Sequence, residues 1–122
     1  KYKFELTSNE HEHEHEHEHE HINVISSAIR IELNTEQTGL EKLFKSLSNK
    51  YQILRLKGRL WQKDKALPLQ IQMVGSRLST WYEAAPEDSW RPKTEGLELV
   101  ILSLRDGVKN ELLEELTHLE SN

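Results

Sequence analysis

Six histidines, His11, His13, His15, His17, His19 and His21, alternate with glutamates through residues 10–21, EHEHEHEHEHEH. Neutral imidazole is a ligand for Zn, Co, Ni and Cu, so a run this dense reads as a chelating tract. In an extended chain a period of two puts all the imidazoles on one side and all the carboxylates on the other, whereas helical turns bring imidazoles at i and i+4 together. Either geometry lets two or three ligands converge on one ion. Glu12, Glu14, Glu16, Glu18 and Glu20 can act as auxiliary ligands or orient the imidazoles from behind. Their charge also favours protonated imidazole, so protons compete with metal as pH falls. Redundant ligands without fixed geometry do not select an ion. Intrinsic affinity follows the general divalent order, with Cu(II) strongest, and Zn, Co or Ni is the expected cargo.

A second constellation is the cationic row Arg55, Lys57 and Arg59 on one face of a strand, flanked by Trp61. It could receive an acidic partner surface or a phosphate; the plainer reading is a solvated face. Trp81 and Trp90 could mark a partner site, although aromatics in a loop more often pin that loop to the core. His118 reads as a surface residue that interacts with a helix dipole. No GxxxxGK[ST], GxSxG or HExxH motif is present, and the dispersed glycines make no phosphate cradle, so the sequence reads as non-enzymatic. With no cysteine, thiolate zinc sites, thiol nucleophiles and disulfides are excluded.

The net charge of −5 belongs to the run, because six of the 21 acids lie in it and the other 15 face 16 Lys and Arg. A nearly neutral body gives no electrostatic reason to bind nucleic acid or a membrane surface. No apolar stretch approaches the ~20 residues that cross a bilayer, and residues 1–10 contain no apolar signal region. The absence of cysteine fits a reducing cytoplasm, the expected location.

The elements that must position these groups follow from periodicity. Tyr2, Phe4 and Leu6 alternate in a short piece that reads as the remnant of a preceding domain or linker over residues 1–9. The run at 10–21 buries nothing apolar and cannot offset an ordering entropy of roughly 1–2 kcal/mol per residue, so a disordered tract is expected. The folded domain spans 22–122. INVISSAIRIEL reads as a strand. Asn34, with Gln37 three residues on, is placed as the cap of a helix carrying Leu40, Leu43, Phe44 and Leu47 and ending at Ser48 and Asn49. Gly39 weakens its first turn. YQILRLKGRLWQ and LPLQIQMVG alternate and form a hairpin, with Pro68 at a strand start and Gly75 at a bend or bulge. Ser79 to Gly96 reads as a long ordered loop pinned by aromatics. LELVILSL has the pattern of a strand covered on both faces, and Asp106 is placed as cap of a helix striped by Val108, Leu112, Leu116 and Leu119. The expected fold is α+β: a mainly antiparallel four-stranded sheet with two helices on one face, order β-α-β-β-β-α.

LRLKGRLW, then QMVGSRLSTW, then LELVILSLRDG ahead of a last helix resemble the C-terminal domain of CobW-like proteins, over about residues 22–119. The matching positions are Arg55-Leu56-Lys57-Gly58, Gly75 with Trp81, and the apolar strand before Arg105-Asp106. Ser103 departs from the family pattern, in which a glycine commonly follows that strand. In that family the domain follows a P-loop GTPase domain, and a His-rich tract often joins the two, an order that this sequence matches. The resemblance implies an accessory domain of a GTP-dependent metallochaperone or cobalamin-related protein, with zinc or cobalt as the usual metals. Its partners would be the N-terminal P-loop GTPase domain of the same parent and a metalloprotein client. The GTPase and cysteine metal motifs of the family lie outside this sequence. Engineered purification tags also alternate His and Glu, so the alternative is a protein-interaction module whose run is a tag; the internal position of the run and the protein-like KYKFELTSNE before it favour a native tract.

Overall fold

A computed structural model of the chain describes residues 23–119. Seven elements follow in order: β1 (Ile25–Glu32), α1 (Gln37–Tyr51), β2 (Ile53–Trp61), β3 (Leu69–Val74), β4 (Arg77–Tyr82), β5 (Gly96–Ser103) and α2 (Val108–Leu119). The short piece around Tyr2 and Phe4, the His-Glu run and Ile22 lie outside the described residues.

The strands form one sheet in the order β1-β5-β2-β3-β4, and every neighbouring pair is antiparallel. Because β1 and β2 both run against β5, they are parallel to each other, which is why a helix must carry the chain between them. One sheet face packs on both helices. Ile29, Leu56, Leu60, Leu69, Met73 and Leu99 meet Leu40, Phe44 and Leu47 of α1 and Val108, Leu112 and Leu116 of α2 in a single buried cluster. Each such side chain contributes about 1.5–3 kcal/mol when fully buried. The expected α+β architecture with a helix pair on one face is observed, but the sheet has five strands, not four.

The added strand is β4. Residues 75–76 make a two-residue hairpin between Val74 and Arg77, with positive φ at Gly75 and not at Ser76, as a type II′ turn requires. This edge strand packs almost entirely through Leu78, leaving Trp81 and Tyr82 40% and 44% exposed. Its weak alternation hides it inside what reads as loop. Trp81 and Tyr82 therefore belong to the strand, and Trp81 Nε1 donates to Glu83 Oε1 (2.7 Å) where the loop, which runs from 83 to 95, begins.

Both helix starts are displaced from the expected positions. Leu33 still bonds Glu95 O through its N–H (3.2 Å), and Thr35 is buried with its hydroxyl 3.4 Å from Leu119 O. These contacts keep the chain extended past Asn34, and α1 starts after Glu36, which has extended φ and ψ and makes no side-chain cap. At the other end Ser48 lies inside the helix, buried, donating its hydroxyl to Gly75 O (2.9 Å). Gln52 in the left-handed region then closes the helix with its N–H on Ser48 O. Asp106 lies two residues before α2 begins, and its carboxylate accepts from the Gly107 N–H (2.8 Å). Glu111 links the helices, accepting from Lys50 Nζ (2.8 Å) and from the Tyr51 hydroxyl.

Gly58 sits at the middle of β2 opposite Leu99. A Cβ there would run into the Leu99 side chain and lie 2.5 Å from Glu98 O. The bare Cα lets the two central strands and the Leu99 side chain close on each other.

Candidate functional site

The second face of the sheet carries the cationic row, and the strand register arranges it in cross-sheet ranks. One rank runs Arg77, Val74, Arg55, Leu102, Ser26; the next runs Ser79, Gln72, Lys57, Val100, Ala28; a third runs Trp81, Gln70, Arg59, Glu98, Arg30. Residues on the same face of neighbouring strands lie roughly 5 Å apart, so each rank is a continuous surface.

Residues 83–95 cross this face and divide it. Ser89 brings its hydroxyl to 3.4 Å from Arg59 Nη1, and Gln70 Nε2 donates to Glu83 O (2.9 Å). The Arg91 guanidinium lies 5.1 Å from the centroid of the Trp61 ring while donating to Pro86 O and Glu87 O, both 3.2 Å, which fixes the loop over the strand. Beneath it Arg59 is 3% exposed, with Nη1 3.5 Å from Glu98 Oε1, and Glu98 accepts from Arg30 Nε (3.0 Å) at its other oxygen. A buried carboxylate between two guanidinium groups compensates charge that would otherwise be costly to desolvate.

The four residues of the expected row thus divide in pairs. Arg59 is buried and Trp61 half-buried beneath the loop, where Arg59 serves the domain's own packing and ion pair. Arg55 is exposed and Lys57 half-buried on the half that residues 83–95 do not cross. Burial, and then the charge of Arg55, push the Lys57 ammonium below the usual lysine range. Sequence reasoning missed Arg77, exposed on β4 and joined to Arg55 through Val74, because the strand that aligns it was read as loop. It also missed the apolar component here: Val74 is 45% exposed, and Val100 and Leu102 are half-buried. Strand β5 is accordingly covered fully on its helix side and only in part on the other.

The six histidines of the tract and their glutamates lie outside the described residues, as the sixth, His21, precedes the first described position by two. Among the described residues no group of three or more His, Cys, Asp or Glu side chains could hold a metal ion. His118 is exposed, with Nδ1 3.1 Å from Glu114 O at the end of α2. No described helix is long and apolar enough to cross a membrane.

Comparison with known proteins places this architecture. Its fold superposes on a Zn(II)-bound triple mutant of the YjiA GTPase with a TM-score of 0.62, at 17% identity, covering 80% of this chain and 30% of that one. It superposes equally on the Zn(II)-bound YjiA GTPase from E. coli, TM-score 0.62 at 14% identity, covering 99% and 34% of the two chains. The chain therefore spans about a third of the length of these structures, and the likeness is one of fold. A search of curated proteins finds no match. The model of one family, described as the cobalamin synthesis protein CobW C-terminal domain, matches residues 24–119, nearly all of the described residues. The chain belongs to that family of CobW C-terminal domains.

Proposed function

We propose that residues 22–122 form a non-catalytic accessory domain that works beside a P-loop GTPase domain in a GTP-dependent metallochaperone. In this reading residues 10–21 hold divalent cargo, Zn, Co or Ni, on His11, His13, His15, His17, His19 and His21, with the intervening glutamates as auxiliary ligands. Residues 1–9 are the end of a preceding domain or linker. The observation that carries the proposal is the CobW C-terminal match over residues 24–119 directly downstream of six alternating histidines. The Zn(II)-bound state of the similar GTPases supports zinc as the first cargo to test.

The half of the sheet that residues 83–95 do not cross is the docking surface in this reading, with Arg55 and Lys57 supplying charge, Trp61 bordering them under the loop, and Arg59 fixed inside. The partner is the GTPase domain or a metalloprotein client that presents carboxylates. Joining Arg55→Glu and Lys57→Glu and titrating the chain with the parent's GTPase domain should weaken association roughly tenfold, about 1.4 kcal/mol, with a reduced salt dependence. Unchanged affinity in that titration would remove the docking surface from the proposal.

A further inference from the structure

Among the described residues β4 pairs with β3 alone, at the end of the sheet. Which of its backbone groups face outward follows from the hairpin. A two-residue turn is closed by a hydrogen-bonded pair, here Val74 and Arg77, and such pairs recur at every second residue of an antiparallel ladder. Arg77, Ser79 and Trp81 therefore turn their N–H and C=O groups toward Val74, Gln72 and Gln70. The Glu83 N–H continues the series on Pro68 O (3.3 Å). Leu78, Thr80 and Tyr82 direct theirs away from the sheet. Sheets commonly blunt such an edge with lysine, proline or a bulge. The strand RLSTWY contains neither residue, and its register with β3 runs without a shift. Arg77, Ser79, Trp81, Tyr82 and the following Glu83 are all exposed.

The outward groups and the side chains agree on one occupant. When residues 77–83 of two copies lie antiparallel about a two-fold axis at Thr80, Thr80 faces Thr80, Leu78 faces Tyr82 and Tyr82 faces Leu78. These pairs use only the outward groups, and each exchanges two backbone hydrogen bonds. The same alignment sets Arg77 opposite Glu83 of the second copy at both ends. Directly opposite residues share a face, so these charges meet on the second sheet face and Leu78 meets the Tyr82 ring on the helix side. Opposite charges and facing threonines are stabilising cross-strand pairs. The Trp81 Nε1–H already holds Glu83 Oε1 (2.7 Å), which keeps the carboxylate beside the strand. Sliding the copies by two residues either way carries one backbone pair off the strand and parts Arg77 from Glu83.

We propose that β4 pairs with β4 of a second copy of this chain, antiparallel and centred on Thr80, and joins the two sheets into one. The contact is self-complementary about a two-fold axis, so it closes at two copies. The axis stands perpendicular to the sheet, and the second faces of both copies lie on the same side of the joined sheet. The pairing goes beyond the accessory role proposed above and depends neither on metal capture nor on docking at Arg55 and Lys57.

The test is sedimentation of the intact chain with EDTA present, so that no metal bridges the histidines, from about 20 µM to about 1 mM. The weight-average mass should rise from that of one chain toward that of two. A strand of six residues makes a small interface, so the association shows at the upper concentrations. Arg77→Glu and Glu83→Arg change exposed side chains and keep the fold, and each sets like charges face to face at both ends of the contact. Each should weaken association roughly tenfold or more. Mixed in equal amounts, the two variants should associate as the unaltered chain does, because every contact between positions 77 and 83 again joins opposite charges. Hydrogen exchange locates the contact: the amides of Leu78, Thr80 and Tyr82 should slow with concentration, while those of Ser79 and Trp81, bonded to β3, do not change. A single-chain mass at every concentration would overturn the proposal, and so would association that both single variants keep in full. Slow exchange of Leu78, Thr80 and Tyr82 at every concentration would overturn it too, because the edge would then be covered from within the same chain.

Discussion

Arg59 and Glu98 face each other across the central strands β2 and β5, with Nη1 3.5 Å from Oε1 and both side chains at most 5% exposed. The pair fixes the covered half of the second sheet face, because Ser89 of the crossing loop meets Arg59 and exposed Arg30 meets Glu98. Removing one partner leaves the other charge buried without its counterion. Glu98→Ala should therefore destabilise the domain by about 3–5 kcal/mol in urea unfolding. Replacing both residues by Met should cost much less, since no buried charge remains. A Glu98→Ala loss below about 1 kcal/mol would show that the loop opens and lets water reach Arg59.

Gly58 makes a second prediction, in the opposite sense of volume. Gly58→Ala introduces a methyl group against Leu99 and Glu98 O, and overpacking of this kind costs about 1–3 kcal/mol. The thermal midpoint should fall while the amide shifts of α1 and α2 far from β2 stay in place. A midpoint equal to that of the unaltered chain would mean that the two strands separate without penalty.

The link between the helices is pH-dependent. Hydrogen bonds from Lys50 and from Tyr51 hold the Glu111 carboxyl below the usual carboxylate range, while the hydrogen bond to Glu111 raises both Lys50 and Tyr51. A depressed carboxylate pKa gives stability that is complete above the ordinary carboxylate value and lost as pH falls through the lowered one. The raised pKa values of Lys50 and Tyr51 give the opposite limit: their share is present below the ordinary lysine and tyrosine values and lost as pH rises through the raised ones. Melting curves of the unaltered chain and of Glu111→Gln should thus differ at neutral pH and converge in acid. A difference that stays constant from pH 7 to pH 2 contradicts this account of Glu111.

Much of this fold is legible in the sequence because burial there follows local period. Leu56 and Leu60, Leu69 and Met73, and Val108, Leu112 and Leu116 all lie inside, where alternation or helical spacing puts them. The β2–β3 hairpin, with Pro68 immediately before β3, follows as expected. Legibility fails where distant segments decide. Strand β4 escapes because, of its three residues on the helix side, Leu78 alone is an apolar residue packed on the core, Thr80 being polar and Tyr82 exposed, and Asn34 loses the helix start to an extended segment held by Glu95 and Leu119. The cationic row is visible as alternation, yet nothing in LRLKGRLW tells that a loop more than 20 residues later covers Arg59 and leaves Arg55 open. Arg77 joins the site only through the register of β3 and β4.

The claim on which the functional account turns is metal capture by the alternating histidines, and a calorimetric titration of Zn(II) tests it most directly. The intact chain at pH 7.5 should bind Zn(II), with affinity falling as pH drops below about 6.5 and the imidazoles protonate. A chain lacking residues 10–21 should lose most of that heat while melting at nearly the same temperature, since none of the core residues from Ile29 to Leu116 lies in the deleted stretch. Equal Zn(II) binding by the two chains, or no binding by the intact one, would contradict the account.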